Sequence, residues 1–344
     1  MKIRSLLSVG LLLTLVLSAC APAATPTPAE VEAPVVQEPV AESTGLVWPK
    51  PTELFVGFSQ ADLKSTWRTV ESDDMKATAE KLGYKYAETN AEGDTAKQLS
   101  DIESLIAQGV NSLVIVPIDA DAIQPALDNA KAKGIPVILK ARGSNGKPGV
   151  DYVSAVMSDF VYEGYVACKY IADQAKSKGL AKVRIIMIQG VIGGTDVRDR
   201  GAGCEKAAGE TGNFEFVAVQ SADWSRSKAQ ELIQNLIQST NKGFDAIYSQ
   251  NDEMALGATL ALEQAGMKVG KDVILVGVDG MKEAMDAVKA GTLSATVTCT
   301  PKYAALVFKA IEDGMAGKSV ETSILNKDVL VTPETVDQYY DLSF

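Results

Sequence analysis

The run Ser249-Gln250-Asn251-Asp252-Glu253 sets five polar side chains where an apolar stretch gives way to an Ala-rich helix pattern. Other apolar runs end the same way, at Ser59 and Gln60, Asp119, Arg142, Gln189, Asp223 and Trp224, Asp279 and Cys299. A carboxylate accepts hydrogen bonds, an Asn amide both accepts and donates, and an Arg fork donates two at once. Arg142, Arg200, Asn251 and Asp279 therefore have the chemistry to hold a ligand rich in hydroxyls. Phe58, Trp67 and Trp224 have the flat faces that a sugar ring's C–H side prefers. Each residue also has a purely structural use. Asp252 suits a helix N-cap, Asp279 could cap a helix near 281, and Arg200 could make a surface salt bridge. Asp199 suits a partner for Arg198, and Trp224 could be core. Their common position at strand ends is what points to a site.

Catalytic sets are missing from this inventory. The chain has no histidine, which removes Ser-His and Cys-His catalysis and most zinc sites. It has no G-x-S-x-G, no P-loop and no G-x-G-x-x-G after a strand. No catalytic residue, metal or cofactor is expected.

The elements that must position these residues alternate from about residue 53. The strand patterns are "ELFVGFS", "YKYAET", "NSLVIVPI" and "GIPVILKA", then "KVRIIMIQG", "FEFVAVQ", "FDAIYSQ", "DVILVGVD" and "SATVT". Helices are predicted over 66–82, within "AKQLSDIESLIAQG", after Asp119 or Asp121 as a cap, and over about 197–209, 225–239, 253–265, 281–290 and 301–314. A last strand is predicted near 324–331. Repeated βα units with short connections give parallel sheets. Two such series make an α/β protein of two Rossmann-like, doubly wound lobes. Ligands of open parallel sheets sit beyond the carboxyl ends of the strands, where the polar residues fall.

The chain of 344 residues is 46% hydrophobic, with a formal net charge of −11. It is long enough for two lobes, and its acidity argues against a nucleic-acid partner. Residues 1–20 have a short basic start, Lys2 and Arg4, then the apolar "LLSVGLLLTLVL" and "LSAC". This is similar to the signal of bacterial lipoproteins, in which cleavage precedes the cysteine, here Cys20, which then carries the lipid. A plain secretory signal is the alternative. Residues 21–52, rich in Pro, Ala and Glu, read as an extended tether. No later segment is apolar enough to span a membrane. Cys168, Cys204 and Cys299 are an odd set, and their pairing stays open.

The order of "VGFSQ", "STWRT", "IAQGVNSLVIVPIDADAIQPAL", "AKGIPVILKAR", "DWSRSKAQ", "YSQNDEMALGA" and "VILVGVDG" resembles the periplasmic sugar-binding proteins of ABC transporters. "FSQ" with "WR", and "DWSRSK", are most similar to the galactofuranose-binding branch. The resemblance covers about 53–335 and implies the type I fold, two lobes joined by a three-segment hinge near 155–158, 299–301 and 328–330. It implies a first lobe of 53–156 and 300–328, and a second of 157–299 and 329–344. It carries sugar contact to Arg142, Arg200, Asn251, Asp279 and Trp224, and by the galactofuranose-like pattern to Trp67 and Arg68, with Ser59 and Gln60 nearby. Asn251 would face the sugar while Asp252 caps the next helix. Two positions depart from the family. The usual Asp before the first-lobe Arg is Ala141, and a position often Gln is Cys299. The implied protein is a monomer that captures a monosaccharide or polyol and hands it to ABC permease subunits. It is not an enzyme, and it works in the periplasm or on the outer face of the cytoplasmic membrane, held by the lipid on Cys20. A sensor feeding a receptor, or a glycoside-processing enzyme using Asp279, are the rival readings.

Overall fold

Runs such as "FVGFSQ", "SLVI" and "VILK" are buried at every residue, as strands covered on both faces must be. In the computed structural model, which describes residues 53–344, they belong to β1 (Phe55–Gln60), β2 (Lys85–Asn90), β3 (Ser112–Ile115), β4 (Val137–Lys140) and β5 (Ser154–Ser158). Between the first four lie α1 (Thr66–Leu82), α2 (Thr95–Ala107) and α3 (Gln124–Ala132). The chain continues through α4 (Phe160–Ser177), β6 (Val183–Gln189), α5 (Thr195–Thr211), β7 (Phe214–Ser221) and α6 (Arg226–Ser239). Then come β8 (Ala246–Ser249), α7 (Asp252–Gln264), β9 (Ile274–Asp279), α8 (Lys282–Ala290) and β10 (Ala295–Thr298). It ends with α9 (Ala304–Met315), β11 (Ser323–Asn326), β12 (Leu330–Val331) and α10 (Val336–Tyr339). The expected signal, Cys20 and the tether lie outside the described residues. Among the described residues, no helix is long and apolar enough to cross a membrane.

The strands form two six-stranded sheets, β2-β1-β3-β4-β5-β11 and β7-β6-β8-β9-β10-β12. The pairs are parallel except β10 with β12. The chain reverses winding direction between β1 and β3, and again between β6 and β8. Those are the points where doubly wound sheets open a crevice for ligand. The sequence pattern near 324–331 is not one strand. β11 joins the first sheet and β12 the second, so the chain crosses between lobes at Lys327 and Asp328.

Capping explains the helix starts. Ser65 accepts from the Arg68 N–H, and Asp94 from the Lys97 N–H. The expected cap of α3 is absent: Asp119 instead accepts from the N–H groups of Asp121 and Ala122, a turn earlier. Helices α4 and α5 approach closely through Gly164 and Gly203. A Cβ at Gly164 would stand 2.0 Å from the Arg200 carbonyl oxygen, and one at Gly203 2.1 Å from that of Val161. The Cys168–Cys204 disulfide joins the same two helices, and Cys299 is free and buried.

Candidate functional site

A cleft of about 950 Å³ lies between the two sheets, a size suited to a small ligand. In the first lobe, α1 turns Trp67 and Arg68 toward it. Arg68 is held from behind. Its Nη1 donates to Glu71 at 2.8 Å, and the fully buried Lys140 donates to the other Glu71 oxygen, also at 2.8 Å. Lys140 also donates to the Pro301 carbonyl at 3.3 Å and lies 3.8 Å from the Tyr303 ring centroid. Burial pushes the Glu71 carboxyl up, but Lys140 and Arg68 outweigh it and hold it below the ordinary glutamate range. Burial pulls the Lys140 ammonium below its ordinary value despite Glu71. With Glu71 held low at 2.8 Å, the arrangement is an ion pair.

Arg142 reaches the cleft through a tight reversal. Its N–H donates to the Lys140 carbonyl at 2.7 Å, and Ala141 between them has φ +61°. This γ-turn at a non-glycine residue is strained. The Arg142 Nε donates to Asp196 of α5 at 2.9 Å, from one lobe to the other. Gly143 N–H donates to the Thr195 hydroxyl at 2.9 Å beside it.

The second lobe supplies most of the wall. Arg200 is 3% exposed; its Nε donates to Glu163 at 2.6 Å and its Nη1 to the Gln250 carbonyl at 2.7 Å. Its guanidinium lies between the rings of Phe160 and Trp224, at 5.2 and 5.8 Å. Burial outweighs Arg200 at Glu163 and raises that carboxyl. Burial lowers the Arg200 pKa, but Glu163, Cys299 and Asp279 outweigh it and raise it. Trp224 sits in a two-residue turn, with Asp223 at φ +53° and Trp224 at +61°, closed by the Ser225 N–H donating to Ala222. Its ring covers Gly190, where a Cβ would come within 2.0 Å of it.

Asp279 ends β9, and among the described residues its carboxyl makes no hydrogen bond; Arg200 Nη2 is 3.7 Å away. Burial raises both Asp279 and the neighbouring Asp252 above the ordinary range. Asp252 is not the cap of α7. Asn251 takes that role, accepting from the Met254 N–H at 2.9 Å. Its amide nitrogen makes no hydrogen bond among the described residues, and the residue lines the cleft. Asp252 is buried beneath, accepting from the Met281 N–H and the Thr296 hydroxyl. The helix dipole end is near enough for either residue, but only Asn251 has the extended backbone of a cap.

Of the sequence-selected residues, the cleft brings together Trp67, Arg68, Arg142, Arg200, Trp224, Asn251, Asp279 and Cys299. Cys299 contributes its carbonyl to Trp67 Nε1 at 2.6 Å, and its thiol turns to Ser158 at 3.5 Å. Ser59 and Gln60 do not reach the cleft. Ser59 is fully buried and accepts from Gln98; Gln60 donates to Glu71 and Ser72. Gln60 therefore acts behind Arg68 rather than on a ligand. Sequence reasoning missed Glu71, Lys140, Phe160, Glu163 and Asp196. A lysine ending the buried run "VILK" and a Glu three residues after Arg68 were available signals. Among the described residues, no cluster could hold a metal ion.

Residues 56–318 match the model of a family described as the periplasmic binding protein domain. The galactofuranose-binding protein of Escherichia coli K12 is 31% identical over 288 residues, covering 83% of this chain and 90% of that one. The ribose import binding protein of Bacillus subtilis 168 is 35% identical over 285 residues, covering 80% and 88%. The periplasmic binding protein component of the arabinose ABC transporter from Shewanella sp. ANA-3, solved with α- and β-L-arabinofuranose, superposes with a TM-score of 0.78. It is 32% identical, over 83% of this chain and 94% of that one.

Proposed function

Because this chain belongs to the periplasmic binding protein family, we propose that it captures a monosaccharide or related polyol in the cleft and delivers it to an ABC permease. It is a binding protein of that family, not an enzyme. The two lobes would open and close on the hinge formed by the three crossovers, after β5, after β10 and between β11 and β12. A ligand that touches both lobes only when they are closed stabilises that state. The lipid on Cys20 would keep the protein at the outer face of the membrane.

One observation carries the reading. The cleft presents donors from Arg68, Arg142, Arg200 and Asn251, acceptor oxygens from Asp279 and Asp196, and the ring of Trp224, from strand ends and adjoining helices of two facing lobes. That is the complement a compact polyol needs: many hydroxyls to pair and a C–H face to cover. The test is calorimetric titration of the body from residue 45, after unfolding and refolding to strip carried ligand. Galactose, ribose, arabinose, xylose, fructose, inositol and xylitol make the panel. One tight ligand among close analogues is expected. A folded protein that binds none of them would overturn the sugar reading.

A further inference from the structure

We propose that Asp196 is a ligand-contacting, specificity-determining residue of the cleft: by occupying Arg142 it restricts the site to uncharged sugars and excludes sugar acids. This rests on the sugar-binding reading and narrows its ligand class.

The argument starts from where the charges stand. Of the arginines lining the cleft, the three buried ones each already meet a carboxylate: Arg68 meets Glu71 at 2.8 Å, Arg142 meets Asp196 at 2.9 Å, and Arg200 meets Glu163 at 2.6 Å. Glu71 and Glu163 stand behind their arginines, with no cleft-lining role. Asp196 differs: the residue lines the cleft itself, with one carboxylate oxygen accepting from Arg142 and the other from the Val197 N–H. It is also the one of the three that reaches its arginine across from the other lobe. Both Asp196 and Arg142 are 5% exposed. Burial raises the Asp196 carboxyl, yet the charges of Arg142, Arg200 and Arg68 outweigh it and hold it low. All three guanidinium groups thus act on this one carboxylate.

A buried guanidinium without a carboxylate recruits an anion, because bidentate carboxylate binding is its best geometry. Asp196 fills that role at Arg142 through Nε. Among the described residues, the Nη1 and Nη2 groups of Arg142 have no hydrogen-bond partner, which leaves them for hydroxyl oxygens. A sugar carboxylate brought to the same place would meet Asp196 as a like charge in a low-dielectric cleft. Removal of the Asp196 charge leaves Arg142, alone of these three arginines, without a carboxylate within 4.0 Å among the described residues.

The experiment titrates wild type, Asp196→Asn and Ala141→Asp/Asp196→Asn with matched pairs: galactose and galacturonate, glucose and glucuronate, arabinose and arabinonate. Ala141 lines the cleft beside Arg142, and its left-handed backbone suits Asp, so the double variant returns a carboxylate from the first lobe. Wild type is expected to favour the neutral member of its preferred pair by at least about 100-fold. Asp196→Asn should shrink that preference to under about tenfold, and the double variant should restore it. Folding of each variant is checked by its melting transition. Wild type binding the acid as tightly as the neutral sugar would sink the proposal, even if Asp196→Asn failed to fold. An Asp196→Asn protein that keeps the full preference would do the same. Both of those outcomes leave sugar binding standing, whereas no binding by wild type to any sugar removes the functional reading and this inference together.

Discussion

Replacing Glu71 by Gln leaves two buried cations, Lys140 and Arg68, sharing a neutral amide. Each meets Glu71 at 2.8 Å, and Glu71 and Lys140 have no exposed side-chain surface. At an effective dielectric near 20, one such contact carries about 6 kcal/mol of attraction. Desolvation cancels most of that in the intact cluster. Once the carboxylate is gone, the desolvation of the cations persists, and losses from breaking a buried pair run to about 3–5 kcal/mol. We expect Glu71→Gln to destabilise the protein by about 4 kcal/mol and to lower its melting temperature by about 8–12 °C. Lys140→Met removes one of the two stranded cations. The double variant should therefore be more stable than the two single costs add up to, with a coupling of at least about 1.5 kcal/mol. Urea unfolding followed by circular dichroism measures all four proteins. If Glu71→Gln lay within about 1 kcal/mol of the parent, or the two costs simply added, the cluster would not be the electrostatic unit described here.

Asp279→Ala should weaken the preferred sugar tenfold or more in calorimetry, because a cleft-lining acceptor is lost; unchanged affinity would remove Asp279 from the site. Gly190→Ala places a Cβ 2.0 Å from the Trp224 ring, so affinity should fall and Trp fluorescence shift; a variant with wild-type affinity would show that ring position is unimportant. Cys168→Ala/Cys204→Ala opens a disulfide spanning 36 positions, worth about 3–4 kcal/mol by loop entropy. A matching loss of stability in guanidinium is expected, and an unchanged midpoint would contradict it. Burial, with the charge of Glu163, pushes Asp328 at the third crossover up to about 8. Its folded value lies above the ordinary Asp value, so the folded protein holds a proton that the unfolded chain releases. Its contribution to stability is present in acid and is lost as pH rises from about 4 to about 8. The melting temperature of Asp328→Asn should therefore fall less between pH 5 and 8 than the parent's, and equal slopes would refute the assignment.

Periodicity was enough to read two α/β lobes, and strand-end polarity singled out Arg142, Trp224, Asn251 and Asp279, which line the cleft; Arg200, inside α5, came from its own segment and the family resemblance. Those signals are local: a buried parallel strand is a short apolar run, and its ligand-facing residue comes next in the chain. What needs long-range contact was not legible. Ser59 and Gln60 follow a strand just as Arg142 does, yet they face Gln98 and Glu71, because α1 and α2 cover that end of β1. Asn251 and Asp252 are equally good caps in sequence, and only the burial of Asp252 against Met281 and Thr296 separates them. The split of 324–331 into two strands depends on the chain crossing between sheets, which no period records. Asp196 lies 54 positions from Arg142. Nothing in either segment announces the pair, since a salt bridge between lobes is a property of how two folded sheets meet.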